Sequence, residues 1–117
     1  MKLLIDTSAW ISHFRGSDDV VAEALAENSA CCHEMVIGEL ALGSIPARDW
    51  TLSDLRALPM LPTAAAAEIL ELVENHGLHG KGLGWVDVNL ILSCLMHEAV
   101  LYSRDAKLTR EWNRLTR

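Results

Sequence analysis

Short apolar runs alternate along the chain with longer segments of mixed polarity. The runs lie at residues 2–5, 30–33, 57–61 and 100–103. Short apolar runs bounded by polar residues or proline are typical of buried β-strands. Pro59 inside the third run and Pro62 directly after it limit the length of that strand, because proline cannot donate a hydrogen bond to a sheet. The pattern therefore predicts four short strands.

The segments between these runs have the spacing of apolar residues that predicts α-helices. We expect helices over residues 8–15, 18–28, 34–43, 47–56, 63–76, 85–98 and 105–116. The helix over 85–98 is apolar on almost every side, as a helix in the centre of a domain should be. Strands that alternate with helices favour an α/β fold with a mostly parallel central sheet. Nothing within 1–117 marks a domain boundary, so we expect a single domain.

The composition is that of an ordinary globular protein. Of the 117 residues, 50% are hydrophobic and 22% are charged, which excludes an intrinsically disordered chain. The three cysteines, Cys31, Cys32 and Cys94, have no zinc-binding spacing and fit a reducing compartment. No apolar run has the length of a membrane span or of a secretion signal. We therefore expect a soluble, cytoplasmic protein that does not associate with membranes.

The net charge of −6 is unusual for a protein that binds nucleic acid. Its distribution is uneven, because the segment from Arg104 onward has five basic and two acidic residues, a charge of +3. The preceding residues therefore carry a charge of −9. The basic segment is either a solvated helix face or a surface that meets an anionic partner, and the pattern leaves both open.

Four acidic residues occupy positions where a carboxylate needs an explanation. Asp6 directly follows the first predicted strand and Asp105 follows the last, so both belong at the carboxyl ends of parallel strands, where such sheets form their sites. Asp87 lies in the first turn of the most apolar helix. Glu39 is in the middle of a helix, on the side that we expect to face the core. An unpaired carboxylate in the core would cost on the order of several kcal/mol.

Each of these acids also has a purely structural interpretation. Asp6 and Asp105 are suited to cap the helices that follow them, and Asp87 is suited to complement a helix dipole. Glu39 could pair with a buried arginine, although few basic residues lie near it in sequence. As a set, however, the four carboxylates supply the hard oxygen ligands that Mg²⁺ or Mn²⁺ prefers, and they predict a metal site.

The segments that carry these acids resemble the successive motifs of PIN-domain nucleases. They are Asp6-Thr7-Ser8, the stretch VIGELA from Val36, the stretch VDVNL from Val86 and the stretch LYSRD from Leu101. The resemblance spans about the whole chain and keeps the order of the motifs. It is strongest to the VapC toxins of bacterial toxin–antitoxin pairs, and the stretch from Gly80 to Leu92 is especially similar to one VapC subgroup.

The resemblance implies a Rossmann-like, three-layer α/β/α sandwich and a Mg²⁺- or Mn²⁺-dependent endoribonuclease. It also implies a homodimer and a VapB-like antitoxin that blocks the site. The catalytic and metal-binding acidic positions of the family are all filled here, by Asp6, Glu39, Asp87 and Asp105. Asp6 and Asp87 match the main metal-ligand positions. Ser8 matches the hydroxyl residue that supports the first aspartate, and Ser103 stands where the family often has threonine.

The expected reaction is hydrolysis of an RNA phosphodiester by a metal-activated water, which needs no protein nucleophile. Four basic residues are candidates for contacts with RNA phosphates: Arg15, Lys81, Arg104 and Lys107. The loop with Gly80, Gly82 and Gly84 lacks the spacing of a dinucleotide-binding or P-loop motif. It is either a flexible hinge or a point where the RNA backbone approaches closely.

Three other functions share parts of this pattern. A receiver-type phosphoacceptor domain needs paired acids after the first strand and a late Lys-Pro, whereas Asp6 stands alone and Lys107 is followed by Leu108. A phosphatase of the haloacid dehalogenase type needs Asp-x-Asp after the first strand, where Ser8 replaces the second aspartate. A non-catalytic PIN-fold protein that binds RNA or a partner stays an alternative, because a full set of ligands does not prove turnover.

Overall fold

Four parallel strands form the centre of the structure, a computed structural model that describes all 117 residues. The strands are β1 (Lys2–Ile5), β2 (Ala30–His33), β3 (Met60–Leu61) and β4 (Ala99–Tyr102). They form one sheet in the order β3-β2-β1-β4, and every neighbouring pair is parallel. The helices are α1 (Thr7–Phe14), α2 (Asp19–Ala26), α3 (Glu34–Leu42), α4 (Arg48–Arg56), α5 (Ala66–His76), α6 (Trp85–Met96) and α7 (Ala106–Leu115). The predicted α/β class is confirmed.

The strand order divides the helices between the two faces of the sheet. The pairs α1–α2 and α3–α4 connect strands in one direction along the sheet, from β1 to β2 and on to β3. The pair α5–α6 connects β3 back to β4 at the opposite edge. Because such crossovers are right-handed, the two directions place their helices on opposite faces. The result is the predicted three-layer α/β/α sandwich.

The third strand is shorter than the predicted segment 57–61. It contains only Met60–Leu61, because Pro59 and Pro62 lie on either side and proline has no N–H to donate to the sheet. The other predicted elements are all present, with ends that differ by at most three residues. The short β3 lies at the edge of the sheet, away from the strands that carry the acidic residues.

A single core of 26 buried apolar residues fills the space between the sheet and the helices. Leu4 and Ile5 of β1 and Leu90 and Ile91 of α6 are completely buried. Each such side chain contributes on the order of 1.5–3 kcal/mol when it leaves water. The middle of α6 is therefore buried as predicted for the helix over 85–98, but Trp85 at its start and Leu95 and Met96 at its end are exposed. No helix combines the length and the apolar character needed to cross a membrane.

The three cysteines are free and buried. Burial raises the pKa of Cys31 and of Cys32 to about 11, against a weaker lowering effect of Lys2 on the first and of a backbone contact on the second. Both side chains are therefore protonated thiols at neutral pH, and they serve as small apolar residues in the core.

His33 links the end of β2 to two helices. Its Nδ1 atom accepts a hydrogen bond from the backbone N–H of Met35 (3.1 Å) at the start of α3, and its Nε2 atom lies 3.1 Å from Ser93 Oγ on α6. Because Nδ1 is an acceptor, the proton of the neutral ring is on Nε2 and is donated to Ser93. Ser93 Oγ in turn donates to the carbonyl of Pro62 (2.9 Å). Burial lowers the pKa of His33, so the neutral ring is the stable form.

We expect the free energy of unfolding to decrease as the pH falls below about 6.5, the ordinary pKa of histidine. Between that value and the lowered pKa of the folded protein, only the unfolded chain binds a proton at His33. The loss is at most about 1.4 kcal/mol per pH unit for one proton. In His33→Asn the amide oxygen can still cap α3, and this part of the pH dependence should be absent. Urea denaturation of both proteins between about pH 7.5 and 5.5 measures the difference, and parallel profiles would contradict it.

Candidate active site

The predicted acidic residues meet at the edge of the sheet where β1 and β4 end. The chain moves from β1 outward to β3 and then returns to the other side of β1 as β4, so the strand order reverses between these two neighbours. In parallel sheets a crevice forms at this point, outside the carboxyl ends of the strands. Asp6 follows β1 directly, and its backbone N–H donates to the carbonyl of Tyr102 (2.9 Å) at the end of β4. Asp105 lies three residues beyond Tyr102.

Asp6 is buried, and both of its carboxylate oxygens accept hydrogen bonds. Oδ1 accepts from the backbone N–H of Thr7 (2.7 Å), and Oδ2 accepts from the hydroxyls of Ser8 (2.8 Å) and Ser103 (2.6 Å). Ser8 Oγ also accepts from the backbone N–H of Arg104 (3.0 Å). Asp6 thereby caps α1 and, through the two serines, joins the β1–α1 turn to the β4–α7 turn.

Asp87 and Asp105 each have one anchored carboxylate oxygen. Asp87 Oδ2 accepts from the backbone N–H of Gly84 (2.8 Å) at the start of α6. Asp105 Oδ1 accepts from the backbone N–H groups of Lys107 (2.8 Å) and Leu108 (3.1 Å) and caps α7. The second oxygen of each carboxylate receives no hydrogen bond from the protein. The capping interpretation is therefore compatible with a further ligand on the second oxygen.

Glu39 is exposed, so the expectation that it faces the core is wrong. Apolar residues occur on almost every side of α3, and their spacing alone does not specify the buried face. The residues that are buried are Val36, Ile37 and Leu40. Glu39 instead faces the start of α1, where its Oε1 accepts a hydrogen bond from Thr7 Oγ1 (2.6 Å). No arginine forms an ion pair with Glu39. The hydrogen bond from the Thr7 side chain is not predicted by the sequence.

The four carboxylates influence one another electrostatically. Burial raises the pKa of Asp87, and the negative charges of Asp6, Asp105 and Glu39 raise it further, against the lowering effect of the hydrogen bond from Gly84. No basic residue is among the groups that act on this carboxyl. The four acids therefore share one neighbourhood, and a divalent cation there would relieve their repulsion.

The donor set suits a hard divalent cation at an open site. Mg²⁺ usually keeps several water ligands and takes only one or two carboxylates together with phosphate oxygens. Asp87, Asp105 and Glu39 each offer an oxygen that the protein leaves without a hydrogen bond. No three or more His, Cys, Asp or Glu side chains are grouped as direct ligands of a single ion. The arrangement thus fits a largely hydrated ion.

The basic residues predicted to contact phosphate lie in different surroundings. Arg15 follows the C-terminal end of α1, about 13.5 Å along the helix from Asp6 at its start, so the structure does not bring it to the acidic residues. Lys81 is exposed in the loop between α5 and α6, and Lys107 is exposed in the first turn of α7. Neither lysine forms an ion pair.

Asp18 is a buried acid that supports the site, whereas its place in the sequence indicates only the start of a helix. Both of its oxygens accept from the hydroxyl of Tyr102 (3.1 and 3.0 Å), and Oδ1 also accepts from the backbone N–H of Val21 (3.2 Å). Arg104 was predicted to contact an RNA phosphate, but its Nη1 atom lies 3.9 Å from Asp18 Oδ2 and forms an ion pair within the protein. Asp18 thus ties the start of α2 to the end of β4, next to Ser103.

Residues 3–111, from β1 into α7, match the model of the PIN domain family. The chain belongs to this family. Ribonuclease VapC32 of Mycobacterium tuberculosis, matched in two strains, is 46% identical over 107 residues, which cover 91% of this chain and 86% of that protein. This PIN domain is therefore a member of the VapC group. This membership excludes the receiver-domain and dehalogenase alternatives.

The fold of this PIN domain also occurs in a distant relative of known structure. The crystal structure of PAE2754 from Pyrobaculum aerophilum matches with a TM-score of 0.65 and covers 95% of this chain and 84% of that chain. Because the two sequences are only 15% identical, the likeness concerns the fold alone.

Removing either serine hydroxyl that holds Asp6 should destabilise the PIN domain. Ser8→Ala and Ser103→Ala each delete a hydrogen bond to a carboxylate, and each should lower the free energy of unfolding by about 1.5–3 kcal/mol. Because both serines donate to the same oxygen, the double variant should differ from the sum of the single variants by about 0.5 kcal/mol or more.

Urea denaturation measures these differences, with Ser53→Ala on the exposed side of α4 as the control. Additive losses would show that the two serines do not act on Asp6 as a unit.

Proposed function

We propose that this protein is a metal-dependent endoribonuclease and the toxin of a VapC-type toxin–antitoxin pair. The observation that carries the proposal is the meeting of four carboxylates, from four separate segments, at the point where the strand order reverses. The relationship to a protein named Ribonuclease VapC32 supports RNA as the substrate. The carboxylates are those of Asp6, Glu39, Asp87 and Asp105.

Asp6 and Asp87 are assigned as the main metal ligands, with Glu39 and Asp105 completing the acidic site. When bound, Mg²⁺ or Mn²⁺ would supply an activated water for attack on phosphorus and would offset charge on the phosphate. Ser8 and Ser103 orient the Asp6 carboxylate by their hydrogen bonds, so that it does not reorganise when a ligand arrives.

Hydrogen bonds from the protein also orient the carboxylates of Asp87 and Glu39. The Gly84 N–H holds one oxygen of Asp87, and the Thr7 hydroxyl holds one oxygen of Glu39. In both residues the second oxygen accepts no hydrogen bond from the protein. The cluster is negative, so on its own it repels the phosphates of RNA, and binding of RNA at this edge should itself depend on divalent ions.

The same relationship supports the proposed partners and setting. We expect a VapB-like antitoxin, a homodimer and a location in the cytoplasm, where RNA is accessible. The three buried thiols are consistent with a reducing compartment.

Asp87→Asn should reduce divalent-metal-dependent cleavage of a mixed RNA pool by about a hundredfold or more. The variant keeps an amide oxygen that can accept from Gly84 N–H, so α6 retains its cap while a charged ligand is lost. Asp6→Asn should have the same effect on cleavage but should also lower stability, because three donors converge on that carboxylate. Gel analysis of RNA with added Mg²⁺ or Mn²⁺, and with a chelator, measures both.

Asp49→Asn is the matched control for these variants. It removes an acid whose side chain is 97% exposed on α4 and whose ion-pair partner is Arg48. This control should cleave like the wild type. Equal cleavage by wild type and Asp87→Asn would contradict the assignment, and RNA binding without any cleavage by the wild type would favour the non-catalytic alternative.

Expression of the wild-type protein alone in a bacterial host should stop growth, because uncontrolled cleavage of RNA blocks translation. Expression of Asp87→Asn at the same level should not. Growth curves with matched protein amounts on immunoblots measure the effect. Arrest by both proteins would show that toxicity does not arise from the proposed chemistry.

A further inference from the structure

The side chain of Lys107 lies across the glycine-rich loop between α5 and α6. A Cβ atom added at Gly82 would be 2.8 Å from Lys107 Cδ and 3.3 Å from both Cε and Nζ. The lysine therefore occupies the space that any side chain at position 82 would need. Gly82 also has a φ of +80°, a conformation that other residues rarely adopt.

This contact connects the two segments of the chain that hold Asp87 and Asp105 in the acidic site. Gly82 comes two residues before Gly84, whose N–H holds Asp87. Lys107 comes two residues after Asp105, and its own backbone N–H holds that carboxylate. The packing of Lys107 on Gly82 thus places an ammonium group at the rim where the α5–α6 loop meets the start of α7.

The charge of Lys107 is not neutralised within the protein. Its ammonium group forms no ion pair, and it is not among the groups that act on Asp87. Two other basic residues of the same helix have partners within the protein. Arg110 and Arg114 form ion pairs with the buried Glu111, at 3.2 and 2.8 Å. Lys107 is therefore a free cation held at the border of a strongly negative site.

We propose that Lys107, held in place by Gly82, binds a backbone phosphate of the RNA strand that enters the acidic site. The inference rests on the proposed ribonuclease function and specifies how the strand is held. A strand with one phosphate at the carboxylates carries further phosphates past the rim, where an ammonium offsets their charge as a point cation. Gly82 acts through the lysine and is a positioning residue.

Two glycines of the loop provide a matched comparison. Gly80 and Gly82 have φ values of +70° and +80°, so alanine introduces similar backbone strain at either position. An added Cβ meets nothing within 4 Å at Gly80 but collides with the flexible end of Lys107 at Gly82. Gly80→Ala therefore reports strain alone, whereas Gly82→Ala reports strain together with displacement of the ammonium.

The test is binding of a short, fluorescein-labelled single-stranded RNA of mixed sequence, followed by anisotropy over a range of salt concentrations. All variants carry Asp87→Asn, so that the RNA is not cut. Every assay contains Mg²⁺ for the three remaining carboxylates, and the loss of one acidic charge also lowers the repulsion of the RNA. Lys107→Met keeps the apolar stem without the charge, and we expect about tenfold weaker binding at low salt. The slope of log K against log salt should become shallower by about 0.7, the value for one phosphate of a single strand. Lys107→Arg keeps a positive charge and should retain most of the slope.

The glycine variants complete a double-mutant cycle. With Lys107 present, Gly82→Ala should weaken binding more than Gly80→Ala does. In the Lys107→Met background the two alanine variants should have equal effects, because no ammonium is left to displace.

An unchanged salt slope in Lys107→Met would overturn the proposal, because the contact with Gly82 would then serve packing alone. The absence of RNA binding would also overturn it. Equal effects of the two glycine variants with Lys107 present would overturn the role of Gly82. Absence of cleavage by the wild type would contradict the ribonuclease function, and the binding cycle would still report on Lys107.

Discussion

Hydrogen bonds to the Asp6 carboxylate hold the acidic edge of the sheet in place against the repulsion of its own charges. The donors Ser8 and Ser103 are 95 residues apart in sequence and 3.2 Å apart in space. Each bond to a carboxylate contributes on the order of 1.5–3 kcal/mol, enough to offset moderate repulsion between partly screened charges. The remaining acids are anchored through one oxygen only, so the edge combines a firmly held central carboxylate with three carboxylates that each keep one oxygen without a hydrogen bond.

The features of the site that follow from local rules could be predicted from the sequence. The run KLLI followed by Asp6-Thr7-Ser8 contains both the end of a strand and the cap of a helix, so it places an acid at the edge of the sheet. Asp105 after the last strand follows the same rule. Because parallel strands all end at one edge, the approach of these two acids needs no knowledge of side-chain packing. The third strand was predicted over 57–61, but it begins only after Pro59 and ends before Pro62, so the residues before the first proline do not belong to it.

Features that depend on distant partners could not be predicted. The apolar residues of α3 surround Glu39 in sequence. Only the packing of that helix shows that Glu39 accepts a hydrogen bond from Thr7. Asp18 precedes a helix like many capping residues, but its bond to Tyr102 crosses 84 positions of the chain. Gly82 could be recognised as a residue with a special backbone or a close neighbour, yet nothing local identifies Lys107 as that neighbour.

The strand that completes the acidic edge, β4, is also the last strand along the chain, and it lies directly beside the first. During synthesis, β1 therefore emerges from the ribosome long before its neighbour exists. A nascent or prematurely ended polypeptide that lacks Ser103 and Asp105 also lacks the hydrogen bond from the Ser103 hydroxyl to Asp6. The order of the chain thus delays assembly of the acidic edge until synthesis of the domain is almost finished.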